Sequence, residues 1–101
     1  MEDYFLQEVV GFIEQLNYQD HTRLQRTRKF FEEYGFQIGP KYLKKITGNI
    51  WELRAGNIRL FLCIQKGTAI GVHIIIKKTQ KLHKRDIDLV VKRCETYEIT
   101  E

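Results

Sequence analysis

The stretch Asn49-Ile50-Trp51-Glu52-Leu53-Arg54, followed after Ala55-Gly56-Asn57 by Ile58-Arg59-Leu60-Phe61-Leu62-Cys63-Ile64-Gln65, decides the fold. Side chains in the first run alternate with period two, as a strand requires. Gly56-Asn57 between the runs predicts a tight hairpin. A turn centred there sets Arg54 opposite Arg59 and Glu52 opposite Phe61. Glu52, Arg54, Arg59, Phe61 and Cys63 then share one face, and Trp51, Leu53, Leu60, Leu62 and Ile64 share the other. Two arginines directly across a ladder repel by some tenths of a kcal/mol. A site that binds phosphate gives them a reason to be together. A surface ion network neutralised by Glu52 would leave the same pattern.

Outward from the hairpin, Lys66-Gly67 marks a second turn, and residues 69–77 read as a third strand. Period two groups His73, Ile75 and Lys77, with Val72, Ile74, Ile76 and Lys78 opposite. One of Lys77 and Lys78 therefore reaches the arginine face. Upstream, residues 4–17 read as a helix with Tyr4, Phe5, Val9, Phe12, Ile13 and Leu16 at helical spacing, capped by Asp3. A second helix is expected over 21–34, with Asp20 as its cap and Gly35 as its stop. Residues 42–46 read as a short helical turn or an irregular approach. Residues 85–97 close the chain as a helix with the apolar stripe Ile87, Val90, Val91, Cys94. The order predicts an α+β fold: an N-terminal helical hairpin packed on a small antiparallel sheet, with a C-terminal helix. Such a sheet can be covered on one face only, leaving the other as a concave site.

The composition narrows the classes. A chain of 101 residues, 43% hydrophobic and 30% charged, suits a single folded domain over residues 1–101 and excludes a disordered one. The longest apolar run is too short for a bilayer, and Met1-Glu2-Asp3-Tyr4 lacks the basic start of a secretory signal. Cys63 and Cys94 form no CxxC pair and read as two buried thiols of a reducing cytoplasm. The three histidines are scattered, serine is absent, and no HExxH, GxxxxGK[ST] or GxGxxG stretch occurs. No metal or cofactor is therefore expected. Residues 1–40 hold four basic and seven acidic side chains, and residues 41–101 hold thirteen and six. The excess peaks at Lys77, Lys78, Lys81, Lys84 and Arg85, which points to a polyanion as partner.

The residues from Lys44 to Arg54, then Ile58-Arg59-Leu60-Phe61, then His73-Ile74-Ile75-Ile76-Lys77-Lys78-Thr79-Gln80-Lys81, resemble the HigB-like (phage Gp49-like) branch of the RelE toxin superfamily. The likeness spans roughly residues 42–97 and implies a RelE-like fold. It also implies the toxin of a type II toxin–antitoxin system, a ribosome-dependent, metal-independent mRNA endonuclease that uses the substrate 2′-hydroxyl as nucleophile. The implied partners are a cognate antitoxin protein, the ribosome and mRNA in its A site, all in the cytoplasm and without a membrane. By the same resemblance, Arg54 and Arg59 match the hairpin arginines, and Arg59 the catalytic one. Lys77 and Lys78 fall where a basic residue contacts the scissile phosphate. Glu52 stands where RelE proper has a catalytic lysine, and His83 where a proline is usual; they are the candidate base and acid. Lys45, Lys81, Lys84 and Arg85 are the candidate contacts to RNA. Tyr97 is only loosely equivalent to the superfamily's C-terminal tyrosine. A non-catalytic RNA- or DNA-binding module, or an inactive toxin relative acting through protein contacts, are the alternative readings.

Overall fold

The structure, a computed structural model, describes residues 1–77 and 82–97. Its elements are β1 (Glu2–Phe5), α1 (Gln7–Glu14), α2 (Tyr18–Tyr34), a single 3-10 turn (Gly35–Ile38), β2 (Leu43–Thr47), β3 (Ile50–Ala55), β4 (Ile58–Gln65), β5 (Thr68–Ile76) and α3 (Lys84–Thr96). The sheet order is β1-β5-β4-β3-β2. The fold is α+β, with the helical hairpin on one face of the sheet and α3 on the other.

The hairpin register is the one the alternation predicts. Arg54 pairs with Arg59, Glu52 with Phe61, and Ala55 with Ile58. Gly56 supplies the positive φ of +62° that closes the turn. One row of side chains, Leu53, Ala55, Ile58, Leu60, Leu62 and Ile74, is buried with Val9, Ile13, Leu24 and Phe31 of the helical hairpin. The α2 helix begins earlier than its expected cap. Asn17 caps it instead, its side chain accepting from the Asp20 N–H at 2.8 Å.

Two strands stand where the periodicity predicts none. Glu2–Phe5, whose last two residues are expected in the first helix and whose Asp3 is its expected cap, is a strand parallel to β5, in register from Glu2↔Thr68 to Phe5↔Gly71. The edge of β5 supplies backbone partners there, which outweighs a weak local helical pattern. Gly71 makes the approach possible, because a Cβ there would run into the Phe5 ring. Leu43–Thr47, where residues 42–46 read as a short helical turn or an irregular approach, is the opposite edge, antiparallel to β3.

The opposite face of the sheet is covered in part, contrary to the expectation of an open one. Val90 and Cys94 of α3 bury against Ile50, Phe61, Cys63 and Val72. A bulge in β5 makes this possible. Phe61 pairs with His73 and Leu62 with Gly71, so Val72 is the extra residue. Val72 therefore joins His73 and Ile75 on the α3 face, where strict alternation would send it away. Its carbonyl accepts from Arg93 Nη1 of α3 at 2.8 Å.

The expected free thiols are corrected as well. Cys63 of β4 and Cys94 of α3 form a disulfide, with their Cα atoms 5.6 Å apart. Thirty-one residues of sequence separate them, so only the docking of α3 brings them together. Among the described residues, no helix is long and apolar enough to cross a membrane.

Candidate active site

Two rows of side chains cross the α3 face of the sheet. The register sets Lys44, Glu52, Phe61 and His73 in one row, and Arg54, Arg59 and Ile75 in the next. Glu52 is only 1% exposed, because the row on either side of it is closed by neighbours. Its Oε1 accepts from Arg54 Nε at 2.8 Å and lies 3.8 Å from Arg59 Nε. One carboxylate thus holds two guanidinium groups that would otherwise repel each other across the ladder. Arg59 is tied further by Nη1, which donates to the carbonyls of Gly56 and Ile58.

The pairing is incomplete. Arg59 Nε is buried without a hydrogen-bond partner. Burial holds the Arg59 pKa below the ordinary arginine value; Glu52 opposes this and the like charge of Arg54 adds to it. A fixed, partly desolvated guanidinium is suited to an oxyanion, above all to a phosphate.

α3 is oriented by three anchors. Asp86 in its first turn lies 3.0 Å from His73 Nε2, whose ring stacks on Phe61, Arg93 Nη1 donates to the Val72 carbonyl, and Cys94 near its end is bonded to Cys63. The N-terminus of α3 therefore points toward the Arg54–Arg59 end of the face. His83 occupies the N-cap position without a side-chain capping bond, and His83, Lys84 and Arg85 are exposed there. Lys77 follows Ile75 in alternation, and its N–H donates to the Asn57 carbonyl at 2.7 Å, beside the hairpin turn. The face that holds Arg59 is thus the face to which Lys77 returns. Lys78 and Lys81 lie outside the described residues.

The register also divides the lysines of β2. Lys45 pairs with Trp51, in the row packed toward the helical hairpin, whereas Lys44 pairs with Glu52 on the arginine face. Lys44 escapes sequence reasoning because β2 has no clear alternation, and its partner is known only once the edge strand is placed. Tyr97 is exposed just beyond α3, and no contact ties it to the arginines. Among the described residues, no group of three or more His, Cys, Asp or Glu side chains could hold a metal ion.

The sequence model described as "Phage derived protein Gp49-like" matches residues 12–95, most of the chain.

The chain belongs to the Gp49-like family.

This is the branch that the hairpin motif and the following lysine stretch resemble. Among solved structures, the chain is similar to a chain of the RelB–RelE antitoxin–toxin complex from Methanococcus jannaschii. The TM-score is 0.59 at 17% identity, covering 83% of this chain and 93% of that one. At that identity the likeness is one of fold, and the fold of the Gp49-like chain is RelE-like. No curated protein sequence matches the chain.

Proposed function

We propose that this chain is the toxin of a type II toxin–antitoxin system and cleaves mRNA on the ribosome without a metal. The observation that carries the reading is the pair Arg54–Arg59, held side by side on one face by the buried Glu52. Family membership and the RelE-like fold support it, as does the antitoxin–toxin complex in which that neighbouring fold was solved.

RNA brings its own nucleophile, the 2′-hydroxyl. Attack on the adjacent phosphorus expels the 5′-oxygen and leaves a 2′,3′-cyclic phosphate and a 5′-hydroxyl. Negative charge builds on the non-bridging oxygens as the pentacovalent state forms. Arg54 and Arg59 stabilise that charge, and Lys77 adds a third cation from the end of β5. Glu52, with the turn carbonyls for Arg59, holds the two arginines in place before the step, so they meet the developing charge with little reorganisation.

Glu52 was the candidate base on sequence grounds. Its burial and its contact to Arg54 suit it better to holding the arginines than to reaching a 2′-hydroxyl. Proton transfer is assigned to His83, exposed at the N-terminus of α3, and to groups of the ribosome or the RNA itself. A site this sparse in acids and bases fits an enzyme that relies on the ribosome to position its substrate.

The test is induced expression with mapping of mRNA 5′-ends, beside Arg59→Ala. New 5′-hydroxyl ends within translated reading frames, absent in the Arg59→Ala strain, are expected. Ends that persist in that strain, or an undisturbed transcript pool during growth arrest, would overturn the reading.

A further inference from the structure

The outward face of α2 carries a second cationic feature. Arg23, Arg26 and Lys29 follow one another at a spacing of three residues, so with Phe30 and Glu33 they lie on one stripe of the helix. All three cations are exposed, and among the described residues their side chains make no ion pair or hydrogen bond. Glu33 shares the stripe, four residues beyond Lys29, without forming an ion pair with it. Asp3 and Glu32 are engaged with Arg28, on another side of the same helix.

This stripe joins the candidate active site at one residue. The Arg23 side chain lies over Gly56, where a Cβ would collide with it. The carbonyl of the same Gly56 accepts from Arg59 Nη1. A strand leaving Arg59 would therefore pass round the hairpin turn and meet Arg23 first, then Arg26, then Lys29.

Aromatic rings flank the cations. A groove of about 430 Å³ beside Arg23 and Arg26 is bordered by Tyr18, which is 85% exposed. A second, of about 450 Å³, lies between Arg26, Lys29, Phe30 and Tyr42, with Glu33 at its rim. The Phe30 and Tyr42 rings meet edge to face at 5.7 Å, and Lys41 Nζ sits 5.4 Å from the Tyr42 centroid. Unpaired cations in sequence, with the exposed rings of Tyr18 and Phe30 and the half-buried Tyr42 beside them and a carboxylate that can accept from a base amino group, are the elements of a single-stranded RNA track. An acidic peptide would use the cations but has no need of the rings.

We propose that the Arg23–Arg26–Lys29 stripe carries the substrate RNA strand beyond the cleavage site, its phosphates on the three cations and its bases against Phe30, Tyr42 and Tyr18. This rests on the reading of Arg54–Arg59 as the site of cleavage.

The test is fluorescence anisotropy with uncleavable 2′-O-methyl RNA of three and twelve nucleotides, over a range of salt. The parent chain is compared with Arg23→Gln/Arg26→Gln/Lys29→Gln and with Phe30→Ala. For the twelve-nucleotide RNA, the triple variant is expected to bind at least tenfold more weakly. Its slope of log affinity against log salt should be shallower by about 2, the value for three phosphate contacts on a single strand. Phe30→Ala should weaken binding about fivefold or more, and the three-nucleotide RNA should be unaffected by either change. Equal affinities and slopes, equal loss on both RNAs, or no binding by the parent chain would overturn the track. So would a triple variant that loses only binding to a poly-glutamate probe, which would make the stripe a protein-docking surface. Mapping of Arg59-dependent mRNA ends with the same proteins separates the two ideas. Cleavage by a chain whose stripe is silent refutes the track alone, and a working stripe on a chain that cuts nothing refutes the cleavage reading alone.

Discussion

Arg54 and Arg59 on the sheet, and Arg23, Arg26 and Lys29 on α2, are close neighbours with opposite physics. The sheet pair is partly buried and shares the Glu52 carboxylate. The α2 cations are exposed and unpaired among the described residues. A buried guanidinium loses water and rotamer freedom, so its donors stay aimed at one point, and the low local dielectric strengthens what they do there. An exposed one keeps its water and its freedom, and acts through a field that salt screens. The first arrangement suits stabilising a transition state; the second suits holding a polyanion. Equal formal charge therefore does not mean equal chemistry.

The sharpest way to break this contrast is to compare single substitutions. Arg59→Ala should lower the single-turnover rate of mRNA cleavage in a purified translation reaction by about 10² to 10³-fold, or about 3–4 kcal/mol, as for loss of a preorganised oxyanion donor. Arg26→Gln should change that rate by less than about tenfold, because a screened surface cation contributes little to a barrier. Similar losses for the two would abolish the distinction.

A second test loosens only the buried region. Reducing the Cys63–Cys94 disulfide, which closes a loop of 31 residues, should cost about 3–4 kcal/mol in the loop-entropy picture. Urea unfolding with and without a dithiol measures it. An unchanged midpoint would mean that packing alone holds α3 on the sheet.

Removing the shared carboxylate comes next. Glu52→Ala leaves two cations facing each other and should destabilise the fold by about 2–3 kcal/mol. This is below the figure for a fully buried pair, because Arg54 stays partly in water. Glu52→Gln, which still accepts from Arg54 Nε, should cost less. Denaturant midpoints at neutral pH decide, and Glu52→Ala as stable as the parent would show that the arginines need no counter-ion.

Gly56 lies where the two regions meet. Gly56→Ala should cost about 1–2 kcal/mol, because alanine resists the positive φ and its methyl group displaces Arg23. Thermal unfolding checks this. The smallest effect belongs to α2 itself: Arg23→Gln/Arg26→Gln/Lys29→Gln should keep stability within about 0.5 kcal/mol of the parent, as for surface positions without partners. A larger loss would mean that these cations hold the fold rather than a ligand.

How far the residues could be read depended on how local the deciding physics was. The Arg54↔Arg59 register was legible because a two-residue turn fixes pairing within a dozen residues, and α3 was legible from its stripe. The edge strands were not. Glu2–Phe5 is a strand because the open side of β5 lies beside it, and Leu43–Thr47 because β3 does; neither partner is near in sequence. The bulge at Val72 likewise follows from packing under α3, and it overrides the alternation that separates Val72 from His73. Lys44, rather than Lys45, joins the arginine face for the same reason. The count of charges along the chain made the N-terminal part look acidic. Helical geometry sorts those charges by face and leaves Arg23, Arg26 and Lys29 together.

The sequence by itself determined the α+β class, the central hairpin, the facing arginines and the likeness to the Gp49-like family, because each is written in short-range alternation or in a contiguous motif. Only the tertiary structure decided that Glu52 is buried between the two arginines, that Cys63 meets Cys94, that α3 covers part of the second face, and that α2 presents a cationic stripe beside the Gly56 turn. Each of these depends on segments far apart in the chain. Burial and long-range proximity are properties of the packed whole, and no window of sequence contains them.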